Sequence, residues 1–472
     1  MTQGYKKILQ SDQEAIVSLC TPRGSGAIAL LRLSGGNAIE IADKVAKLSS
    51  GKKLSDCLTH TIHHGYVVCD NSQIIDEVLF FLMHAPKTFT GEDTVEISCH
   101  NNSFIIEQII EQTINVGARL AGRGEFTKRA FLNNKIDLIQ AESINELINA
   151  QTELALRKSM AQLQGSLSSC MHEIESELVG LLSLVEGSFE FFEEEQQDLD
   201  IDQMIKERMF EILKNLKEIK ANFNQQQQIK NGINISLIGW VNAGKSTLFN
   251  SLLKKDRAIV TSIEGTTRDS VECSMYKNGN FWLFVDTAGL RQTQDFIEQE
   301  GIERSKKQAA VSDIILLVFD VSKVLSEQQI KIYKEIIEKY CNKIIIIANK
   351  IDAQNEKAIE QLKSLINYSE VIEVSAIEKK GINFLESVIE NKIQELFSKL
   401  QSPFLLNQRQ YNLIVELEQK LEFIVNKYSD KIQYELIAYH LKDMLEKLSE
   451  LTGRNVSEKV LDRVFSDFCI GK

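Results

Sequence analysis

The chain is poor in proline, with three in 472 residues, and none of its eight cysteines forms a C-x-x-C pair. Scattered cysteines of this kind are typical of reduced thiols in a cytosol and argue against a disulfide-stabilised secreted fold. No apolar run approaches the roughly 20 residues that span a bilayer, and the N-terminal residues resemble neither a signal peptide nor a transit peptide. We therefore expect a cytoplasmic protein without a membrane segment.

A surplus of basic residues is also missing, because the formal net charge is -12 and the pI is near 5.3. General binding to nucleic acid depends on neutralising phosphates with a basic surface, so the chain is not a general nucleic-acid binder. Any RNA contact must use a local patch or a partner protein. The length itself predicts more than one domain.

Short β-branched runs separated by turn signals dominate from about residue 14 to 118. In Thr94–Ser98 polar and apolar residues alternate, which is the pattern of a half-buried strand. From about 232 to 395, apolar runs such as Ile233–Ile238 and Ile344–Ala348 alternate with helical segments. The sequence therefore predicts an α+β domain first, and later a mostly parallel sheet covered by helices.

Helical periodicity characterises two separate segments, at about 125–225 and after Pro403. Their apolar stripes are Ile174, Leu178, Leu181 and Val185 in the first segment, then Ile414, Leu417, Leu421 and Ile424, and Ile437, Leu441, Met444, Leu448 and Leu451 in the second. Each stripe must be buried, and the two segments are natural partners, so we expect one helical domain interrupted by the α/β domain. The Gln225–Gln228 run reads as a solvated linker.

Gly239–Ser246 matches the P-loop pattern G-x-x-x-x-G-K-[ST], between a predicted strand and a predicted helix. Its glycines allow backbone N–H groups to converge on phosphate oxygens. Lys245 would place a positive charge at the β- and γ-phosphates, and Ser246 would offer a hydroxyl to Mg²⁺. This motif predicts a bound nucleoside triphosphate without specifying the base.

Three further nucleotide-binding motifs follow the P-loop in a fixed order, and the last two indicate that the bound base is guanine. Asp286–Gly289 offers a carboxylate to Mg²⁺, and a threonine of Gly265–Thr267 would complete the metal shell. Asp352, in Asn349–Asp352, can accept the N1–H and the exocyclic amine of guanine, a donor pair that adenine lacks. Ser375–Ile377 can offer a backbone N–H to guanine O6. Because each motif follows a predicted strand, chance is a remote explanation, and the sequence predicts GTP binding and hydrolysis.

The residue after the D-x-x-G motif, where many GTPases carry a water-orienting glutamine, is Leu290 here. Leucine cannot orient a water molecule. Arg268 and Arg291 are candidates for an internal arginine finger on charge alone, but both are more typical of solvated arginines. Hydrolysis therefore requires another source of positive charge and another residue to place the water.

Asn242 suggests a substitute for the missing charge. Its amide oxygen, together with backbone carbonyls near Thr261 and Ile263, could hold a monovalent cation that stabilises the developing negative charge. In the alternative interpretation, Asn242 only hydrogen-bonds its own loop. The sequence leaves both open.

Segments outside these motifs carry a further signal: Thr21–Gly26, Leu31–Gly35, Phe89–Glu96, Gly124–Leu138, Gln140–Ser143 and Phe468–Lys472. Together they resemble the MnmE (TrmE) family of tRNA-modifying GTPases over nearly the whole chain. The resemblance implies an α+β folate-binding and dimerisation domain, a discontinuous helical domain and an inserted Ras-like P-loop GTPase domain. The expected ranges are 1–124 for the first, 125–230 and 398–472 for the second, and 231–397 for the third.

The resemblance also implies partners and a reaction. It implies a homodimer that forms a heterotetramer with the flavoprotein MnmG (GidA) and acts on tRNA. The reaction would add a carboxymethylaminomethyl or aminomethyl group to C5 of wobble uridine-34, using a tetrahydrofolate derivative (5-formyl- or methylene-tetrahydrofolate) as one-carbon donor. Mg²⁺ and K⁺ are implied cofactors, with K⁺ allowing two GTPase domains to meet.

Site residues carry over by motif position. The implied Mg²⁺ ligands are Ser246 and Thr267. The implied K⁺ ligands are Asn242, Thr261, Ile263 and Thr266. The implied folate residues are Arg32, Glu96, Lys135 and Lys472. Glu298 matches the glutamate that orients the catalytic water through a second water. The predicted GTP contacts are Asn242, Ala243, Gly244, Lys245, Ser246, Thr247, Thr261, Ser262, Ile263, Glu264, Gly265, Thr266, Thr267, Asp286, Thr287, Ala288, Gly289, Asn349, Lys350, Ile351, Asp352, Ser375, Ala376 and Ile377.

Two positions stay open. Cys469 is a candidate nucleophile beside the folate or a simple buried cysteine, and the final Lys472 makes prenylation a poor match. Trp240-Val241 stands where the family usually has Arg-Pro, so the unbound P-loop is expected to be less rigid.

Two other functions compete with this prediction. One is a ribosome-assembly GTPase switch like Era or Der, which the acidic composition and the matching terminal segments disfavour. The other is a folate-binding scaffold with a vestigial GTPase, which the complete motif set disfavours.

Overall fold

The computed structural model describes residues 14–69, 71–191, 199–221, 223–253, 271–285, 306–366, 370–398, 402–427 and 433–471. The chain divides into two compact units. The first comprises Met1–Ile148, Ala161–Lys217 and Asn412–Lys472, and the second comprises Asn149–Met160 and Glu218–Tyr411. The second unit is thus largely inserted between two stretches of the first. The α/β pattern between two segments of helical periodicity predicts this arrangement. The domain borders predicted at 124/125, 230/231 and 397/398 stay predictions.

The regular elements are numbered in chain order. The strands are β1 (Ile16–Leu19), β2 (Ile28–Ser34), β3 (Ala46–Leu48), β4 (Thr61–Val68), β5 (Ile74–Met83), β6 (Thr94–His100), β7 (Arg119–Leu120), β8 (Ile233–Gly239), β9 (Val271–Lys277), β10 (Asn280–Val285), β11 (Ile314–Asp320), β12 (Ile344–Asn349) and β13 (Val371–Val374). The helices are α1 (Ala38–Val45), α2 (Ser103–Asn115), α3 (Glu125–Leu132), α4 (Leu138–Ile148), α5 (Glu153–Leu163), α6 (Ser166–Phe191), α7 (Leu199–Lys220), α8 (Phe223–Asn231), α9 (Lys245–Leu253), α10 (Glu327–Tyr340), α11 (Glu356–Leu365), α12 (Ile382–Ser398), α13 (Gln408–Lys427), α14 (Tyr434–Thr452) and α15 (Glu458–Ser466). Residues 306–311 are also helical.

A seven-stranded sheet in the order β3-β4-β5-β6-β2-β1-β7 forms the N-terminal part of the first unit. The predicted alternation in β6 is confirmed, because Val95 and Ile97 are buried whereas Glu96 is partly exposed. Buried aliphatic residues of the sheet pack against α1 and α2 in one core. The register of β2 and β6 sets Arg32 opposite Glu96. Since alternate residues point to opposite faces, this charged pair lies on the face away from that core.

The helices of the first unit confirm the predicted apolar stripes. Buried positions on α6 are Ile174, Leu178, Leu181 and Val185, and those on α14 are Ile437, Leu441, Met444, Leu448 and Leu451. The helices α14 and α6 pack against each other, so the two separate helical segments bury each other's apolar faces. Within the described ranges, no helix has the length and apolar character needed to cross a membrane.

A six-stranded sheet in the order β13-β12-β11-β8-β10-β9 is the centre of the second unit. Every pairing is parallel except that of β9 with β10, as the buried apolar runs predict. The predicted hairpin turn between β9 and β10 is confirmed. Asn278 and Gly279 have φ angles of 46° and 82°, and two positive values are what a two-residue type I′ turn requires.

The predicted solvated linker at Gln225–Gln228 was wrong. The segment lies within α8, and Gln226 is fully buried. The Gln226 side chain accepts a hydrogen bond from the Leu406 N–H at 2.8 Å, and Gln227 Nε2 donates to the Leu406 carbonyl at 3.0 Å. Glutamine is a good helix former, and its amide can satisfy buried backbone groups, so a glutamine run is not by itself a linker signal.

Candidate nucleotide-binding and folate-binding sites

The P-loop connects the end of β8 to the start of α9, and close packing requires two of its glycines. A Cβ on Gly239 would come within 2.5 Å of the Val318 carbonyl oxygen. Gly244 has a φ of 87°, and a Cβ there would lie 2.2 Å from Asn349 Nδ2. Any larger residue would push the loop away from its neighbours. The loop thus delivers the N-terminus of α9, where phosphate binding is favoured, to the carboxyl edge of the parallel sheet.

Lys245, the P-loop lysine, is held inside its own loop. Its ammonium donates hydrogen bonds to the carbonyls of Gly239 at 2.7 Å and Trp240 at 2.8 Å. Burial lowers the pKa of Lys245 from 10.5 to about 8. No carboxylate among the described residues pairs with Lys245, so a bound phosphate would supply its counter-charge.

Asn349, at the end of β12, joins the P-loop to the loop after β13. Its side-chain Nδ2 donates to the Ala243 carbonyl at 2.9 Å, and its Oδ1 accepts from the Ala376 N–H at 3.2 Å. Only 1% of Asn349 is exposed. Ile351 begins a 3₁₀ turn two residues after Asn349. In the loop after β13, the Ile377 side chain is 72% exposed. One buried amide therefore ties the P-loop to the Ser375–Ile377 loop.

The residues after Asn349 are held by side-chain pairs. Lys350 has a left-handed φ of 67°, and its ammonium lies 2.6 Å from a carboxylate oxygen of Asp320 at the end of β11. Burial by itself raises the pKa of Asp320, but hydrogen bonds from Lys350 and Ser322 outweigh it and lower that pKa. The Ser375 hydroxyl donates to Asp352 at 2.5 Å. These contacts place the Asp352 carboxylate beside the loop predicted to meet guanine O6.

The remaining P-loop residues differ in exposure. Ala243 is buried, Ser246 is partly exposed and Thr247 is exposed in the first turn of α9. Asn242 is exposed with a left-handed φ of 64°. Its side chain makes no hydrogen bond to any residue of 239–246, all of which are described. The alternative in which Asn242 only stabilises its own loop is therefore not observed.

Other predicted site residues lie outside the described part of the chain, and their assignments stay predictions. They are Thr261, Ser262, Ile263, Glu264, Gly265, Thr266, Thr267, Asp286, Thr287, Ala288, Gly289, Glu298 and Lys472. The same holds for Leu290, at the position of the usual glutamine, and for the two finger candidates Arg268 and Arg291.

In the first unit, Arg32 and Glu96 form an ion pair on the sheet face. Arg32 Nε donates to Glu96 Oε1 at 2.8 Å, and the side chains are only 15% and 17% exposed. The guanidinium carbon lies 5.5 Å from the ring centres of both Phe89 and Phe126. Two aromatic rings and the opposite charge of Glu96 therefore hold the Arg32 guanidinium in place.

Lys135 contacts the loop that carries Phe89. Its ammonium donates to the Pro86 carbonyl at 2.9 Å, and its side chain lies against Gly91. Arg32 also contacts this loop, through the Phe89 ring. The loop that carries Phe89 therefore contacts both Lys135 and Arg32, and Arg32 in turn pairs with Glu96.

The C-terminal tail lies against the end of β1 and the start of α3. The Cys469 carbonyl accepts from the Gly124 N–H at 3.4 Å, and Cys20 Sγ donates to the Gly471 carbonyl at 3.3 Å. A Cβ on Gly471 would come within 2.4 Å of the Leu19 carbonyl, so this residue must be glycine. Cys469 is exposed, so its interpretation as a simple buried cysteine was wrong.

Sequence reasoning missed two residues of the nucleotide site. Asp320 carries a usable signal, because it is a polar residue at the end of a buried strand, where ligands of parallel sheets bind. Tyr333 carries none, since it lies on α10 and reaches the P-loop only through tertiary packing.

The P-loop leads into α9 at the carboxyl edge of a parallel sheet, and Asn349 joins it to the loop after β13. This arrangement defines a P-loop GTPase domain. Two family models match the chain: "GTP-binding protein TrmE N-terminus" over residues 15–135 and "MnmE helical domain" over residues 138–469. The tRNA modification GTPase MnmE of Bacillus subtilis (strain 168) is 37% identical over 465 residues, covering 97% of this chain and 100% of that protein. The protein of the same name from Enterococcus faecalis (strain ATCC 700802 / V583) is 35% identical, covering 97% and 98%. The chain belongs to the MnmE (TrmE) family of tRNA modification GTPases, which are GTP-hydrolysing enzymes.

Among solved structures, the G domain of the T. maritima FeoB iron transporter is 24% identical, with a TM-score of 0.24, and the match covers 35% of this chain and 98% of that domain. That similarity is too low to add to the assignment.

Proposed function

We propose that this protein hydrolyses GTP to drive modification of C5 of wobble uridine-34 in certain tRNAs. The observation that supports it best is the Asn349 side chain, which ties the P-loop to the Ser375–Ile377 loop with hydrogen bonds of 2.9 and 3.2 Å. This contact supports a single nucleotide site at one sheet edge, in a chain that belongs to a tRNA modification family. The reaction would take place in the cytoplasm.

Mg²⁺ would bind at Ser246 and Thr267 and neutralise charge on the β- and γ-phosphates. Ser246 is partly exposed in the first turn of α9, which fits a hydroxyl ligand next to bound phosphate. Lys245 would leave its loop carbonyls and pair with phosphate oxygens. Glu298 would orient the attacking water through a second water.

K⁺ would bind at Asn242, Thr261, Ile263 and Thr266 and supply the positive charge that an arginine finger supplies elsewhere. The exposed Asn242 amide, without a hydrogen bond within its own loop, fits such a ligand. The ion would also allow two GTPase domains to meet across a homodimer.

The cation hypothesis is tested by measuring GTP turnover in KCl and NaCl at equal ionic strength. We expect faster turnover in KCl for the unaltered protein and no salt preference for Asn242→Ala. Asn342→Ala, which alters an exposed asparagine on a 3₁₀ turn, is the matched control and should retain the preference. Equal turnover of the unaltered protein in both salts would exclude the cation mechanism.

A tetrahydrofolate derivative would bind at Arg32, Glu96, Lys135 and Lys472 and supply the one-carbon unit. Arg32 uses only Nε in its hydrogen bond to Glu96, and its two terminal nitrogens have no hydrogen-bond partner among the described residues. Glu96 likewise keeps one carboxylate oxygen for the amino-pyrimidine edge of a pterin. A half-buried, oriented pair with spare donors and an acceptor fits this ligand.

The folate site is tested by titration with 5-formyl-tetrahydrofolate. Glu96→Ala is expected to weaken binding strongly. Glu77→Ala on the neighbouring strand β5 removes an exposed carboxylate that pairs with His64, and should leave the affinity unchanged. Equal affinity of Glu96→Ala and the unaltered protein would remove this assignment.

The exposed Cys469 would be the nucleophile that takes part in the one-carbon chemistry. Loss of modification without loss of folate binding in Cys469→Ser would support this role.

The partners would be a second copy of this chain and the flavoprotein MnmG in a heterotetramer. The cellular test is analysis of tRNA from cells that lack the gene. We expect the C5 modification of uridine-34 to be absent and to return with the intact gene. Normal modification together with defective ribosome assembly would favour the Era-like or Der-like switch.

A further inference from the structure

The P-loop of this chain has Trp240-Val241 where Arg-Pro is usual in the family, and a tyrosine far along the chain contacts this position. The Trp240 N–H donates to Tyr333 Oη at 2.9 Å, and the Tyr333 hydroxyl donates to the Val318 carbonyl at 3.2 Å. Trp240 and Tyr333 are 93 positions apart in sequence. The hydroxyl therefore links the first peptide of the loop to the end of β11.

The tyrosine is itself held firmly. Only 3% of Tyr333 is exposed, and its ring centre lies 4.1 Å from that of Phe319 on β11. The Trp240 side chain packs against the same buried cluster. Burial raises the pKa of Tyr333 to about 12, so the hydroxyl keeps its proton, and its donor role, at neutral pH.

The carbonyl of Trp240 contacts the P-loop lysine. The Trp240 carbonyl accepts from Lys245 Nζ at 2.8 Å and from the Ala243 N–H at 3.2 Å. Val241, in contrast, is 66% exposed and adds little packing. The backbone of Trp240 is thus fixed at its N–H by α10, and its carbonyl in turn fixes the lysine and the loop.

We propose that Tyr333 is a positioning residue for nucleotide binding, whose hydroxyl limits the conformations of the empty P-loop where the family usually relies on a proline. Proline would restrict the loop through its fixed φ, whereas here a buried hydrogen bond from another element restricts it. The inference rests on the proposed binding of guanine nucleotide to this loop. The Tyr333 hydroxyl would thus compensate for the valine at position 241, where the family usually has proline.

The test compares GDP affinity in single and double variants. Tyr333→Phe removes one oxygen and keeps the ring, so we expect a folded protein with GDP affinity reduced by about 3- to 10-fold, the effect of one lost hydrogen bond. Tyr340→Phe, on the same helix, is the matched control and should bind GDP normally. Adding Val241→Pro to Tyr333→Phe should restore most of the affinity, which a merely structural role of the hydroxyl would not allow. Unchanged affinity in Tyr333→Phe, or no recovery with Val241→Pro, would overturn the inference.

A second measurement separates this inference from the proposed function. The chain has two tryptophans, so Trp282→Phe leaves Trp240 as the sole indole reporter. In that background, and without nucleotide, Tyr333→Phe should shift the Trp240 emission or its quenching by acrylamide, whereas Tyr340→Phe should not. If the unaltered protein does not bind GDP, the proposed function fails whatever the emission shows. If it binds GDP and the emission is unaffected by Tyr333→Phe, only the role of Tyr333 fails.

Discussion

The Asn349 side-chain amide donates to the Ala243 carbonyl at 2.9 Å, so the Asn349–Asp352 motif and the P-loop share a buried hydrogen bond. The same amide accepts from the Ala376 N–H through its oxygen. Both ends of the amide are therefore used within the protein. Asn349 therefore connects its own segment, Asn349–Asp352, to the P-loop and to the Ser375–Ile377 loop. Changes at this position should affect phosphate and base binding together.

Asn349→Asp should weaken GDP binding and destabilise the second unit. The substitution replaces the donor that faces the Ala243 carbonyl with an oxygen, leaving a buried acceptor without its partner, at a cost of about 1–3 kcal/mol. We expect GDP affinity to fall about tenfold or more, measured with a fluorescent GDP analogue. Asn355→Asp is the control, because Asn355 caps α11 and aspartate caps a helix equally well. Equal affinity of the two variants would contradict the connector role.

GDP binding should take up a proton near pH 8 to 9. The free Lys245 has a pKa of about 8, below the 10.5 of an exposed lysine, so it is increasingly neutral above pH 8. Phosphate favours the charged form and raises this pKa, so binding returns the lost proton. At pH 8.5 we expect Lys245 to take up most of one proton on binding, whereas at pH 6.5 it contributes almost none; calorimetry in buffers of different ionisation enthalpy, compared with Lys245→Arg, measures this contribution.

The control for the proton measurement is Lys245→Arg. Arginine stays charged at these pH values and should show no linked uptake from this position. Absence of uptake by the unaltered protein at pH 8.5 would show that Lys245 is already charged in the free state.

Arg129→Met should strongly destabilise the first unit. Arg129 is 2% exposed, and it pairs with Glu92 at 3.0 Å and Glu125 at 3.1 Å. Its loss leaves two carboxylates without this partner, and breaking a buried pair costs about 3–5 kcal/mol. Thermal and urea unfolding should show the effect. Arg23→Met, which breaks the exposed pair with Glu107, is the control and should change stability little.

The double variant Arg129→Met/Glu92→Gln separates charge from packing. If the unpaired Glu92 carboxylate causes the loss, this double variant should regain part of the stability. A double variant as unstable as the single one would assign the loss to packing instead.

Asp352→Asn should change the base preference from guanine to xanthine. The carboxylate would accept two donors from guanine, whereas an amide can donate to the oxygen that xanthine carries at the same edge. GDP affinity should fall about 100-fold, as expected for loss of charge-assisted hydrogen bonds, while XDP affinity should rise. Competition binding with GDP, XDP and ADP measures this. Retained GDP preference would show that Asp352 does not read the base.

Local patterns predicted much of this fold because they report local geometry. Alternation placed Glu96 partly exposed on β6, and the Asn278-Gly279 pair predicted a hairpin through its positive φ angles. The glutamine run at Gln225–Gln228 misled the prediction, because polarity alone does not show whether a side chain has a buried partner such as the Leu406 backbone.

By itself the sequence determined the order of the nucleotide motifs, the inserted α/β unit and the helical stripes, since spacing and periodicity along the chain are enough for these. Only the tertiary structure decided that Asn349 holds Ala243, that Tyr333 holds Trp240 and that Arg32 pairs with Glu96. These partners are separated by tens of residues. Their contacts depend on strand register and helix packing, which no local pattern contains.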